Sequence, residues 1–294
     1  MTPAHAEAEK NIKIVTGKRN EEKGERREER GERSKERGVR SLNFLRNFYY
    51  ALNFFLVHMS YVICPRSYVL LPKNTSMENL NKYIEHTALK PDLTIAEVQK
   101  LCEEAIQYNF AGVCVPTYFL GDVVPILADT GIDIITVIGF PYGYSSLISK
   151  FEEAEDALAK GADHLDMVIN IAAVKNNDWD TVENEIETIT KLVHAENKII
   201  KIIIETGLMS EIEIDLICKI ANEFNVDYVK TSTGVNGPGA DVETIKNLRD
   251  TLKAKIKIKA SGGIKTKAFA EELIDAGADR IGTSKGVALM EETK

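Results

Sequence analysis

The hydrophobic positions from Met77 onward follow two alternating patterns. Short runs of aliphatic and β-branched residues alternate with longer stretches whose apolar positions recur at the helical period of about 3.6 residues. The short runs predict eight strands, which are Tyr83–His86, Gly112–Val115, Ile134–Ile138, His164–Ile169, Lys201–Glu205, Tyr228–Thr231, Ile256–Lys259 and Arg280–Gly282. The longer stretches predict seven helices, which are Ile95–Tyr108, Phe119–Ala128, Leu147–Lys160, Thr181–Glu196, Glu211–Phe224, Val242–Leu252 and Lys267–Ala276. A final short helix is predicted at Val287–Glu292.

This alternation predicts an α/β fold, and specifically a closed (β/α)8 TIM barrel. Several helical stretches run into a residue that suits the left-handed conformation at a helix end, such as Gly161, Asn225 and Gly277. A doubly wound open sheet is the alternative. The barrel is favoured because polar residues end many different strands. In a barrel these ends converge on one mouth, whereas in an open sheet they spread along an edge.

The first 76 residues differ from the rest in charge and composition. They contain 15 Lys and Arg against 9 Glu and no Asp, which leaves 22 basic and 36 acidic residues for the remainder. Lys18–Arg40 consists almost entirely of charged residues and glycine, and such a segment cannot bury enough apolar area to order itself. We therefore expect residues 1–76 to be a disordered extension outside the fold, and residues 77–294 to form the barrel.

An apolar, aromatic stretch lies within this extension at Leu42–Cys64. Polar residues such as Arg46 and Asn53 interrupt it, so it has no continuous apolar run of the roughly 18 residues that a membrane helix needs. A signal anchor or organellar leader is the alternative interpretation. The expected location is the cytoplasm.

The overall charge and the cysteines limit the classes of partner. A net charge of −8 and a pI near 5.4 argue against nucleic acid as the main partner. Cys64, Cys102, Cys114 and Cys218 show no CxxC spacing and no zinc-site pattern with histidine. The sequence thus predicts neither a metal nor an organic cofactor. It does not determine the oligomeric state, for which a homodimer is the working hypothesis.

Lys230 is the first candidate for chemistry, within the segment Val229–Gly234 at the end of a predicted strand. A lysine directed into a dry barrel is costly if charged, and burial or a neighbouring positive charge favours the neutral amine. A neutral amine can attack a carbonyl and form a Schiff base. The alternative is an ordinary surface lysine at a strand end, which the adjacent hydroxyl residues and glycine make less favourable.

Two lysines on the next predicted strand are candidates for a second cation. The alternation in Ile256–Lys259 places Lys257 and Lys259 on one face, which we expect to be the barrel axis, with the isoleucines against the helices. Lys259 lies nearer the carboxyl end of the strand and is the better candidate. Lys257 is the alternative, or pairs with a carboxylate lower in the barrel.

Asp166 lies within an otherwise apolar predicted strand, where a buried carboxylate needs a partner. A pair of Asp166 with a catalytic lysine could move the protons that aldol chemistry requires. The structural alternative is an ion pair between Asp166 and Lys201.

A phosphate site is predicted in the loops that follow the last three strands. TIM barrels commonly bind phosphate there through backbone N–H groups, and glycine lets the backbone approach the oxygens. The residues concerned are Gly234, Gly262, Gly263, Gly282 and Ser284.

Seven segments together resemble the deoxyribose-phosphate aldolase family, in the order in which that family has them, over Met77 to about Met290. They are Tyr83–Pro91, Val113–Val115, Val137–Pro141, Leu165–Val168, Lys201–Thr206, Val229–Gly234 and Lys259–Ile264. The resemblance implies reversible cleavage of 2-deoxy-D-ribose 5-phosphate into D-glyceraldehyde 3-phosphate and acetaldehyde, a lyase reaction of deoxyribonucleotide breakdown. The expected partner is thus a small phosphorylated sugar.

The resemblance also implies roles for individual residues. Lys230 matches the Schiff-base lysine, Lys259 the second catalytic lysine and Asp166 the proton donor and acceptor. Glu85 departs from the aspartate expected at its position, and Lys285 from a common serine. The alternative function is another phosphate-binding TIM-barrel lyase or isomerase, which would share the phosphate loops but not the set of Lys230, Lys259 and Asp166.

Overall fold

The computed structural model describes residues 77–292, so the predicted extension lies outside the described residues. A 3-10 turn at Met77–Tyr83 leads into the first strand. Each strand pairs in parallel with its neighbours, and the last pairs with the first, which closes the barrel and rules out the open sheet. The strands are β1 Ile84–Thr87, β2 Gly112–Val115, β3 Asp133–Ile138, β4 His164–Val168, β5 Ile199–Ile203, β6 Tyr228–Lys230, β7 Lys257–Ser261 and β8 Arg280–Thr283.

Helices follow the strands around the outside of the barrel. Over residues 77–292 they are α1 Ile95–Tyr108, α2 Leu120–Leu127, α3 Leu147–Ala159, α4 Ile171–Lys175, α5 Trp179–Ala195, α6 Glu211–Phe224, α7 Val242–Thr251, α8 Lys267–Asp275 and α9 Gly286–Glu291. In this part of the chain every helix is too short or too polar to cross a bilayer. The predicted helices are confirmed to within two residues at each end, and the short α4 was not predicted.

Local side-chain chemistry fixes the ends of the helices. The Thr94 hydroxyl accepts from the Glu97 N–H and the Glu97 carboxylate accepts from the Thr94 N–H, a capping box that starts α1. Ser210 and Glu213 form the same arrangement at α6. Asn225 ends α6 in the left-handed conformation, as the sequence predicted. These caps set the ends of α1 and α6 and therefore where the chain returns to the next strand.

The apolar residues of the barrel form two clusters on opposite sides of the sheet. The larger one lies between strands and helices and includes the fully buried Ile202 and Ile258. The smaller one lies inside the barrel and consists of Cys114, Ile135 and Val137. In contrast to β2 and β3, the strands β1, β4, β5, β6 and β7 each bury a charged side chain, namely Glu85, Asp166, Lys201, Lys230 and Lys259.

The fifth strand is where the predicted boundaries were most in error. It spans Ile199–Ile203, two residues earlier than predicted, because the Ile199 N–H already bonds the Asp163 carbonyl. Glu205 cannot extend the strand, since its φ of 52° lies in the left-handed region. The chain therefore turns at the carboxyl end of the barrel, close to the candidate site.

Candidate active site

Asp166 on β4 is fully buried inside the barrel and contacts three lysines. Its Oδ2 lies 2.9 Å from Lys230 Nζ and 2.7 Å from Lys259 Nζ. Its Oδ1 lies 3.0 Å from Lys201 Nζ. The structure thus brings together all three residues predicted for chemistry. The ion pair between Asp166 and Lys201, which is the structural alternative, is present together with the contacts to Lys230 and Lys259.

Glu85 on β1 completes this cluster, and the sequence interpretation did not assign it a role. Its carboxylate accepts a hydrogen bond from Lys259 and lies 3.5 Å from Lys201 Nζ. Lys201 also donates to His164 Nδ1 at 2.9 Å. A signal for Lys201 was present in the sequence, since it is a single charge within an apolar strand and so needs a buried partner. Glu85 is followed by His86 and Thr87 and gives no such signal.

Gly282 provides the space that lets Lys259 reach Glu85. Gly282 pairs with Glu85 in the register of β8 and β1, and a Cβ atom added to it would lie 2.9 Å from Lys259 Cε. The sequence predicted this glycine for phosphate binding. Its position shows in addition that any side chain there would crowd the lysine.

The cluster holds most of its members in their charged forms. Burial would raise the pKa of Asp166, but Lys201, Lys230 and Lys259 outweigh it and hold this pKa well below its ordinary value. Burial opposes the charge of Lys259 too, yet Asp166 and Glu85 together raise its pKa above the ordinary value. Burial and the positive charge of Lys201 lower the pKa of His164 to about 3, so this imidazole is neutral.

The cluster contains one more amine than it has carboxylates. Asp166 and Glu85 face Lys201, Lys230 and Lys259, and Arg280 Nε lies 4.0 Å from Glu85, so the basic groups outnumber the carboxylates. Lys201 and Lys259 each contact both carboxylates, whereas Lys230 contacts Asp166 alone. Lys230 thus has fewer carboxylate contacts than either of the other two amines.

A cavity of about 810 Å³ opens at the carboxyl ends of β1, β6, β7 and β8. Among the described members of the cluster, Lys230 alone lines this cavity, while Lys259 and Lys201 lie behind it. All five residues predicted for phosphate binding line it as well, namely Gly234, Gly262, Gly263, Gly282 and Ser284. The barrel therefore presents one amine of the cluster and three glycine-containing turns to the same space.

The sequence matches the DeoC/LacD family aldolase profile over residues 75–290. The chain belongs to this aldolase family. A deoxyribose-phosphate aldolase of Caldicellulosiruptor saccharolyticus is 45% identical over 216 residues, covering 73% of this chain and 98% of that protein. One from Brevibacillus brevis is 44% identical and covers 74% of this chain and 97% of its own length. The solved deoxyribose-phosphate aldolase of Aeropyrum pernix, described as tetrameric, is 33% identical with a TM-score of 0.69, covering 74% of this chain and 91% of that one.

Two of the glycines in this aldolase's cavity are needed for the way its loops pack. Gly234 and Gly262 have φ angles of 81° and 88°, which residues with a side chain rarely adopt. A Cβ atom on Gly262 would lie 2.8 Å from the Gly239 Cα atom, so the loops after β6 and β7 meet backbone to backbone. The same geometry leaves backbone groups of both loops accessible from the cavity.

Lys257 lies on the same strand as Lys259 but at the opposite end of the barrel. It is exposed at the amino end of β7, and its Nζ lies 5.4 Å from the centre of the Tyr228 ring. Tyr228 is buried, and Lys201 Nζ lies 5.5 Å from the centre of the same ring, so the predicted alternation along β7 is compatible with this position. Of the two lysines, only Lys259 is placed to act in the cluster.

Cys114 lies inside the barrel, near this cluster. It is fully buried, and burial raises the pKa of its thiol, so it behaves as a small apolar side chain. Residues 77–292 contain no group of histidine, cysteine and carboxylate side chains arranged to hold a metal ion.

Proposed function

We propose that this chain is a class I aldolase that reversibly cleaves 2-deoxy-D-ribose 5-phosphate into D-glyceraldehyde 3-phosphate and acetaldehyde. One observation carries the proposal: of three buried lysines sharing two carboxylates, Lys230 alone lines a cavity with glycine turns suited to phosphate. Family membership and the names of the relatives agree with this substrate. No organic cofactor is needed for the reaction.

Lys230 is the proposed nucleophile. Its neutral amine attacks the aldehyde carbon of the open-chain sugar, and loss of water leaves a protonated Schiff base. This positive group withdraws electrons as the bond between C2 and C3 breaks, while the C3 hydroxyl loses its proton. Glyceraldehyde 3-phosphate leaves, and the remaining enamine takes a proton at C2 before water releases acetaldehyde and the free amine.

Lys259 and Asp166 are proposed to move the protons in these steps. The Lys259 amine donates a hydrogen bond to Asp166 Oδ2, and the same oxygen lies 2.9 Å from the Lys230 amine. Lys259 can give a proton to the departing hydroxyl, and Asp166 can pass it on. Lys201 and Glu85 keep this pair in place from the other side.

The phosphate is proposed to bind at the glycine turns of the cavity. Gly234, Gly262 and Gly263 have the backbone conformations that aim peptide groups at an anion. Gly282 and Ser284 lie at the same end, next to the exposed Lys285. A phosphate held there would place the aldehyde end of the sugar toward Lys230.

A retro-aldol assay of the full chain on 2-deoxyribose 5-phosphate tests this function. We expect acetaldehyde and glyceraldehyde 3-phosphate in equal amounts, without added metal or cofactor. An enzyme that isomerises the sugar phosphate, or cleaves a different one, would form neither product. Such a result would replace this proposal by the phosphate-binding lyase or isomerase alternative.

The proposed partner is therefore a small phosphorylated sugar, used in the cytoplasm. A homodimer remains a prediction. The Aeropyrum pernix relative is described as a tetramer, so the assembly of this chain needs its own measurement by light scattering.

A further inference from the structure

Glu205 is a buried carboxylate that the proposed chemistry leaves without a role. It is fully buried and adopts a φ of 52° and a ψ of 60°. A left-handed conformation is unusual for glutamate and costs free energy unless the surrounding structure requires it. Within residues 77–292, the other non-glycine residues with positive φ are all asparagine or aspartate, which tolerate this conformation far better. The cost indicates that the Glu205 side chain is needed where it lies.

The carboxylate of Glu205 binds the loop that follows Lys230. It accepts from the Thr233 N–H at 3.2 Å and from the Thr233 hydroxyl. It also accepts from Asn236 Nδ2 at 3.2 Å. The strap, which we define as residues 233–239, is thus held at its start and its centre by one charged group. Hydrogen bonds to a charged acceptor are stronger than those between neutral groups.

The backbone around Glu205 is fixed to the same strand end. The Ile204 N–H bonds the Lys230 carbonyl at 3.0 Å, and the Thr206 N–H bonds the Thr231 carbonyl at 2.9 Å. These two bonds hold Glu205 between them at the carboxyl end of the barrel. The position of its carboxylate is therefore tied directly to the position of Lys230.

The strap in turn contacts the loops after β3, β5 and β7. Asn236 Nδ2 donates to the Pro141 carbonyl at 2.7 Å, on the loop after β3. A Cβ atom on Gly207 would lie 2.7 Å from the Pro238 carbonyl oxygen. Gly239 fits against Gly262 without room for a side chain. The strap therefore sets where Gly234 and Gly262 lie, and both glycines line the cavity.

From this geometry we infer that Glu205 is a positioning residue for phosphate recognition, which holds the strap so that the Gly234 and Gly262 turns bind the phosphate of the substrate. The inference rests on the proposed function for its substrate. It assigns Glu205 an effect on affinity for the phosphorylated sugar and none on the chemistry at Lys230. If Glu205 only stabilised the turn, its replacement would not affect the phosphorylated sugar more than the unphosphorylated one.

Replacing Glu205 by glycine separates the carboxylate from the backbone conformation. Glycine adopts a positive φ without strain, so Glu205→Gly keeps the turn and removes the buried side chain together with its hydrogen bonds. We expect the KM for 2-deoxyribose 5-phosphate to rise about tenfold, from the loss of bonds to a charged acceptor. The kcat, and kcat/KM for unphosphorylated 2-deoxyribose, should stay within about twofold of wild type. Wild-type KM in Glu205→Gly would overturn the inference, as would an equal loss with both sugars.

Two further variants keep the test decisive. Asn225→Gly is the matched control, because Asn225 has a φ of 56° at an exposed helix end away from the cavity, and we expect wild-type kinetics. Asn236→Ala removes one bond to Glu205 and the bond to Pro141, and we expect KM for the phosphorylated sugar to rise about threefold. If Glu205→Gly fails to fold, an unchanged KM in Asn236→Ala would overturn the inference.

Calorimetry with inorganic phosphate distinguishes a failure of this inference from a failure of the proposed function. We expect the Kd for inorganic phosphate to rise about tenfold in Glu205→Gly relative to wild type. That result supports the role of Glu205 even if wild type does not cleave 2-deoxyribose 5-phosphate, in which case the proposed function alone is wrong. Normal cleavage by wild type with an unchanged phosphate Kd in Glu205→Gly would overturn the inference and leave the proposed function standing.

Discussion

Two regions of this barrel bury charged groups, and they do so in different ways. The first is the cluster around Asp166 inside the barrel. The second is the pair of Lys150 on α3 and Glu185 on α5, which lies outside the sheet. Lys150 Nζ donates to the Val168 carbonyl at 2.7 Å and to Glu185, whose other oxygen accepts from the Asn170 N–H at 2.9 Å. This second pair holds together the end of β4 and the helices over it.

The two regions differ in charge balance and in access. Lys150 and Glu185 match one cation to one anion, and both are almost completely buried. The cluster inside the barrel has three amines for two carboxylates, and one of its amines lines a cavity. Burial of charge alone is therefore a poor sign of chemistry. A surplus amine that faces open space is a much better one, because it can be neutral and can reach a substrate.

The pKa directions reflect the same difference. Burial lowers the pKa of Lys150 and raises the pKa of Glu185, so an isolated pair is driven toward its neutral forms. In the cluster, burial acts in the same sense but the opposite charges outweigh it. These charges lower the pKa of Asp166 and of Glu85 and raise the pKa of Lys259. The cluster thus keeps fixed charges around Lys230, as electrostatic catalysis requires.

Replacement of Lys230 should have the largest effect. We expect Lys230→Leu to lower kcat by about four orders of magnitude or more, since no other amine lines the cavity from this cluster. The fold should be kept, because a leucine leaves two lysines for two carboxylates. Lys257→Leu, on the neighbouring strand, is the control and should have wild-type kcat. Measurable turnover of Lys230→Leu near the wild-type rate would refute the assignment.

Replacement of Lys259 should have the next largest effect. We expect Lys259→Leu to lower kcat by roughly a hundred- to a thousandfold, since a proton donor is lost. Steady-state kinetics at several pH values measure the loss. A kcat within twofold of wild type would show that Lys259 is only structural.

The pair outside the barrel should respond in stability rather than in rate. We expect Lys150→Met to lower the free energy of unfolding by about 3 kcal/mol, because Glu185 is left buried without its cation. In Lys150→Met/Glu185→Met most of that stability should return, since no unpaired charge remains. Urea unfolding gives the stability, and kcat should change little in the double variant. A large loss of kcat in a stable double variant would break the distinction between the two regions.

The smallest expected effect is on the pH dependence of stability. Asp166 and Glu85 have lowered pKa values in the folded protein, so their contribution is complete above about pH 4.5 and is lost as the pH falls below about 4. The raised pKa of Glu185 has the opposite sign, because its contribution is lost as the pH rises through the folded value. Urea midpoints from pH 6 to 3 should thus fall less steeply in Asp166→Asn and more steeply in Glu185→Gln. Parallel curves for all three proteins would contradict these directions.

The sequence predicted the barrel and its three central residues for physical reasons that are local. Strand and helix periods are visible in the chain itself, and a charge such as Asp166 within an apolar strand signals a buried partner. Alternation alone left Lys257 as a rival of Lys259. Which of the two meets the carboxylates depends on how β7 lines up with the other strands, and this register cannot be read from one strand.

Other parts of the site depend on contacts between distant segments. Glu85 reaches Lys259 only because Gly282 on the strand between them has no side chain. The left-handed turn at Glu205 is set by the strap that it binds, 28 residues further along the chain. Nothing in the local sequence around Glu205 indicates a turn of this kind. Features of this kind cannot be predicted from the sequence, because the segments that cause them meet only in the closed barrel.

Trapping the covalent intermediate tests the central claim most directly. The full chain is incubated with acetaldehyde and sodium borohydride, digested, and analysed by mass spectrometry. We predict a single ethylated lysine at Lys230, with Lys201, Lys259 and Lys150 unmodified, and no trapping in Lys230→Leu. Labelling of another lysine of the cluster in place of Lys230, or no labelling of wild type, would contradict the account.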